Sequence, residues 1–151
     1  MFDAQVYFGR VNRMLETHRD RYTIETTDIN VAPENDWEDW YFISWNALIT
    51  FCTGHKLSVS ESYSRGSGLK IHRALNYHFM DEENKCIFRF DTHGREWPIE
   101  TPCHIHLGED EQILEQNDQR LNTLDLANID FLSAFQYAFG YAIDNRGFPW
   151  D

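Results

Sequence analysis

The chain has 151 residues, enough for one domain with a real core, and its aromatic fraction of 15% supplies that core and argues against disorder. A net charge of −12 disfavours non-specific attachment to nucleic acid or anionic membrane, although a locally basic groove or a basic partner stays open. Cys52, Cys86 and Cys103 are odd in number, widely spaced and without a CxxC pair, which suggests neither a disulfide framework nor a zinc–thiolate site; a reducing cytoplasm is the expected setting.

Residues 1–15 (MFDAQVYFGRVNRML) carry charge throughout and do not read as a signal peptide. No window approaches the roughly 18 apolar residues of a membrane-spanning helix, so no membrane partner is expected. Asp3 is placed to cap a first helix in which Val6, Tyr7, Val11, Met14 and Leu15 recur at helical spacing, ending before about Asp20. Arg10, Arg13, Arg19 and Arg21 make this the most basic stretch of the chain, as either a solvated face or a phosphate-binding one. Residues 21–31, rich in β-branched side chains, predict a strand, and 32–36 a loop. Residues 40–51 are again strand-like, and Thr53-Gly54 turns them back into 56–63 as a hairpin. After the break at Gly66-Ser67-Gly68, residues 69–80 alternate, 81–84 (DEEN) turn, and 86–93 (CIFRFDTH) and 102–107 (PCHIHL) alternate once more. An acidic connector, 108–118, leads to 124–143, where Leu126, Ile129, Leu132, Phe135 and Phe139 predict a helix packed on the sheet. No repeat, low-complexity tract or linker divides the chain. The expectation is a single α+β domain: an N-terminal helix, an antiparallel sheet of about five to six strands and a C-terminal helix.

Period-two alternation sorts the polar residues by face. Leu57, Val59, Glu61 and Tyr63 share one face, so Glu61 is a carboxylate in apolar company; Arg73 stands likewise among Leu75, Tyr77 and Phe79. Glu61 and Arg73 are therefore either a buried ion pair or part of a site. The opposite face carries Lys70, His72, Asn76 and His78, and the next strand offers Arg89, Asp91 and His93. His78 should come near Arg89 or Asp91 across the DEEN turn, and His104 and His106 join them if their strand is a neighbour.

Three chemistries fit these groups. In metal-independent RNA cleavage, one neutral imidazole takes the 2′-OH proton, a protonated one serves the leaving oxygen, Arg89 holds the phosphate and Asp91 fixes a tautomer. In a metal site, His104 and His106 join an acid; with Glu109 or Glu111 this resembles the cupin pattern, though without its glycine spacing and second motif. In a non-catalytic module the polar face docks a protein partner.

In order along the chain, residues 48–57 (LITFCTGHKL) with Glu61 downstream, Asn76-Tyr77-His78, 87–91 (IFRFD) and 102–106 (PCHIH) resemble the pattern of the TumE-like toxins of prokaryotic toxin–antitoxin pairs. The likeness spans about Tyr7 to Leu107. It departs at Thr92-His93-Gly94-Arg95, where only His93 stands for a histidine pair, at Cys103, where many members have another histidine, and at 32–40, which reads as an insertion. The resemblance implies one such domain over 1–151, a toxin function and a cognate antitoxin, typically a helix-turn-helix protein. It carries over Glu61, Tyr77, His78, Arg89, Asp91, His104 and His106 as site residues and calls for no cofactor; RNA as substrate is inferred from the groups themselves.

Overall fold

A run such as Tyr41–Phe51 has backbone donors and acceptors on both edges, and neighbouring strands must satisfy them. In the computed structural model, which describes residues 4–32, 41–65, 71–92, 103–110, 112–114, 118–121 and 123–151, each strand pairs with the next in the chain. The strands are β1 (Tyr22–Ala32), β2 (Tyr41–Phe51), β3 (Lys56–Arg65), β4 (Ile71–Met80), β5 (Cys86–Asp91), β6 (His104–Leu107) and β7 (Gln112–Leu114), antiparallel in the order β1-β2-β3-β4-β5-β6-β7. The sheet thus has seven strands where five to six were expected. The added one is β7, inside the predicted connector: three residues are too few for alternation to register. The cap expected at Asp3, the 33–36 part of the loop, the break at 66–68, and Lys70, His93 and Glu111 lie outside the described residues, and of His72 only the backbone is described.

Gly54, at φ +90, makes the β2–β3 turn, where a side chain would be strained and its Cβ would meet Glu82 at 3.2 Å. In the β4–β5 turn the Asp81 carboxylate accepts from the backbone N–H groups of Glu83 and Lys85, both at 2.9 Å.

One face of the sheet is apolar. Ile43, Trp45, Ala47, Ile49 and Phe51 of β2, Leu57 and Val59 of β3, Leu75, Tyr77 and Phe79 of β4, and Phe88 and Phe90 of β5 are all buried. Two helices cover it. From α1 (Ala4–Thr17), Tyr7 and Val11 enter the core, whereas Val6 stays 59% exposed. From α2 (Phe131–Ala142), Phe131, Leu132, Ala134, Phe135, Ala138 and Ala142 form the buried stripe. This helix begins at Phe131, not at 124; residues 126–128 make a short 3-10 turn and Asp130 is the N-cap. The C-terminal tail also belongs to the core: the Phe148 and Trp150 rings stack 4.8 Å apart, and Trp150 lies edge-on to Phe88 and Phe90. Burying each such side chain contributes roughly 1.5–3 kcal/mol. No helix among the described residues is long and apolar enough to cross a membrane.

Candidate functional site

The other face of the sheet is polar, and pairing register arranges it in rows. His78 of β4 stands opposite Arg89 of β5, which stands opposite His106 of β6. One step along, Asn76 faces Asp91, and Asp91 faces His104. Residues directly opposite on neighbouring strands bring their Cβ atoms to within about 5.5 Å, so groups scattered from 76 to 106 become contacts.

Asp91 is the hub. The Nε2 atom of His104 lies 2.7 Å from Asp91 Oδ1, and Nε2 of His106 lies 3.3 Å from Oδ2. Arg89 donates from Nε to the same Oδ2 at 2.9 Å, and the two imidazole centroids are 4.9 Å apart. All three hub residues are buried, with Asp91 6%, His104 9% and His106 3% exposed, while His78, Asn76 and Arg89 are half-buried and Ser60 of β3 is exposed. The row therefore deepens from β3 towards β6. Buried ionisable groups persist where partners compensate their desolvation, and here one carboxylate serves a guanidinium and two imidazoles. The three hub residues can present one ligand atom each, all within 4.8 Å of one another.

The remaining predicted residues belong elsewhere. Glu61 and Tyr77 lie on the apolar face, across the sheet from the histidines. Glu61, 1% exposed, accepts from the hydroxyls of Tyr7 (2.6 Å), Tyr63 (3.3 Å) and Tyr77, from Trp45 Nε1, and from the backbone N–H of Phe131 (3.2 Å). Burial raises the Glu61 carboxyl above its ordinary value, against the opposing pull of these hydrogen bonds. Burial, then the neighbouring carboxylate, raises Tyr77 as well, so its hydroxyl stays protonated and donating. Arg73, expected in one reading to pair with Glu61, stands opposite Tyr63 and donates from Nη1 to the Ile129 carbonyl at 2.7 Å. The structure thus divides the predicted set into a polar row of His78, Arg89, Asp91, His104 and His106, and a core knot of Glu61 and Tyr77.

Of the cupin-like ligand set, only the alternative with Glu109 falls on described residues, since Glu111 lies outside them. Glu109 lies exposed in the turn after β6, 3.4 Å from Lys85, and the acid that meets the histidines is Asp91 on the neighbouring strand. The Cys103 thiol lies in the hydrophobic core, where burial pushes it up to about 12, which keeps it protonated. The basic stretch belongs to the helical layer: Arg10 and Arg13 are exposed on α1, Arg19 pairs with Glu16 at 3.3 Å and Arg21 with Asp20 at 3.5 Å. It does not line the row.

Two serines were missed by sequence reading. Ser58 faces His78 and Ser60 faces Asn76, which extends both rows by a strand. The signal was present in residues 57–63 (LSVSESY), where serine alternates with the core-facing side chains.

Among known proteins, a family model described as Toxin TumE matches residues 16–136, which takes in every residue of the row and of the core knot but Tyr7. No curated protein and no solved structure matches the chain.

Proposed function

The chain belongs to the TumE toxin family, and from that footing we propose that it is the toxin of a toxin–antitoxin pair and that it acts by cleaving RNA on the polar face of its sheet. The observation that carries the reading is the convergence on Asp91 of His104, His106 and Arg89, with His78 paired beside Arg89. Arg89 takes the scissile phosphate, a role that suits a guanidinium already oriented by a carboxylate. His78, at the open end of the row, exchanges a proton with the attacking or leaving oxygen. Asp91 orients the imidazoles of His104 and His106, which serve the second oxygen. Asn76, Ser58 and Ser60 line the approach and offer hydrogen bonds to the nucleotide.

The same reading gives the protein a cytoplasmic setting and a cognate antitoxin, with a basic helix-turn-helix protein as the partner that an acidic toxin suits best. The support is family membership together with a net charge of −12.

The test is incubation of purified protein with total cellular RNA, beside a folded His104→Ala, His106→Ala double variant, and expression of both in a host cell. Cleavage and growth arrest by the parent, both lost in the variant, is the expected result. A toxic parent without RNA cleavage, or a variant as active as the parent, would overturn the assignment and leave the polar face as a docking surface.

A further inference from the structure

We propose that Asp91, His104 and His106 form a binding site for a divalent first-row transition-metal ion. The inference rests on the reading above for the row as the site of action; it gives His104 and His106 the role of ligands in place of acid–base groups, so that the route becomes metal-assisted where sequence led to the expectation of a metal-independent one.

Three observations carry it. The first is chemical type: two imidazoles and one carboxylate are a donor set for iron(II), manganese, cobalt, nickel or zinc, whereas magnesium and calcium select oxygen ligands. The second is spacing. Two ligand atoms about 2.1 Å from one ion stand about 3 Å apart at right angles and about 3.4 Å apart at the tetrahedral angle; Nε2 of His104 lies 2.7 Å from Asp91 Oδ1 and Nε2 of His106 lies 3.3 Å from Oδ2, so each imidazole adjoins one oxygen of the same carboxylate. One donor atom from each of the three residues can be chosen so that all three lie within 4.8 Å of one another. The third is support from the surroundings. His104 and His106 project from alternate positions of a four-residue strand paired on both sides, and Arg89 holds Asp91 Oδ2, the kind of outer contact that fixes a ligand's orientation. Arg89 and Asp91 offset each other and the imidazoles bind as neutral groups, so the divalent ion's own charge would remain to be met by an anionic ligand such as a phosphate in the open positions.

Three protein ligands leave coordination positions open, the pattern of a catalytic rather than a structural site. A water there is acidified and can supply the nucleophile for a phosphoryl centre held by Arg89, with His78 beside it to exchange the proton. The O–H bond of that water gives its proton to a base, the new P–O bond forms, and the leaving oxygen takes a proton as its P–O bond breaks, so no oxidant or reductant is required.

The experiment is titration of tag-free protein, first stripped with a chelator, with cobalt(II), followed by visible absorption and by metal analysis after dialysis. Wild-type protein is expected to take up one cobalt per chain with ligand-field bands in the visible. Folded Asp91→Asn and His106→Gln variants should bind weaker by more than the roughly 10–100-fold that outer contacts are worth. If the variants do not fold, cobalt-induced shifts of the His104 and His106 imidazole signals in wild-type protein carry the same answer. No stoichiometric uptake by folded wild type, or equal uptake by folded variants, would overturn the site and reduce the cluster to a hydrogen-bonded His–Asp–His group. The two readings fail separately. Uptake without RNA cleavage removes the nuclease and keeps the metal, whereas cleavage in chelator by protein that takes up no cobalt removes the metal and keeps the nuclease.

Discussion

Asp91 and Glu61 are carboxylates of the same sheet, on opposite faces, with opposite prospects. Asp91→Asn keeps the shape of the hub and removes its charge, so the Arg89 contact and both imidazole contacts weaken together. RNA cleavage and growth arrest should fall by about 10²-fold or more in the folded variant, the cost of misplacing catalytic groups, and the melting temperature should fall as well because the Arg89 guanidinium loses its charged partner in a half-buried site; an unimpaired variant in a killing assay would place the site elsewhere. Glu61→Ala should act on stability alone. It leaves Tyr77 and Trp45 without their acceptor in the core, at about 1–3 kcal/mol each, while the Phe131 N–H keeps Tyr7 Oη at 3.2 Å, so chemical denaturation should show a loss of about 2 kcal/mol or more. A pH dependence follows from the raised carboxyl. With a folded pKa above the unfolded one, the native state binds the extra proton, so this contribution is full below the ordinary 4.5 and declines as pH rises through the folded value. Glu61→Gln removes that slope: relative to wild type the variant should gain stability as pH rises from about 4.5. A constant difference across that range would show that the carboxyl does not titrate there.

Among the elements, α2 is the one most dependent on its first turn. Asp130 accepts from Ser133 N at 2.9 Å and from Ser133 Oγ at 3.1 Å, the Phe131 N–H goes to Glu61, and the preceding Ile129 carbonyl receives Arg73. Asp130 thus caps α2 locally, and two side chains of the sheet, Glu61 and Arg73, dock its start. Asp130→Ala should cost about 0.5–2 kcal/mol, and at roughly 2–4 °C per kcal/mol for a chain of this size it should lower the melting temperature by several degrees without affecting toxicity. A change below one degree would mean that the Glu61 and Arg73 contacts hold the turn by themselves. The strands, by contrast, were legible almost to the residue, because alternation of core and polar side chains is repeated over ten or eleven positions in β2, β3 and β4. Where repetition was short, as in β7, or replaced by irregular turns, as before Phe131, the pattern carried no period to read.

At the scale of the whole molecule, the proposed capture by a basic antitoxin predicts an affinity that falls as salt rises, since the attraction would be between exposed charges screened over about 10 Å at 0.1 M. Binding measured at several salt concentrations checks this; a salt-independent affinity would point to an apolar interface. Local sterics force successive side chains to opposite sides of a strand, and for that reason the α+β class, the first six strands and their faces were legible in the amino-acid pattern, including the placement of His78, Arg89 and Asp91 together, whereas Glu61 was set against Arg73 and its contact with Tyr77 came only from the fold. The toxin family was legible as well, from short motifs in a consistent order. Convergence was not. That β6 lies beside β5 in the register that sets His104 opposite Asp91 depends on pairing across a connection that encodes no register of its own. Likewise, two of the partners of Glu61, Tyr7 and the Phe131 N–H, come from helices 54 and 70 residues away along the chain, and only packing of both helices on one face brings them to it.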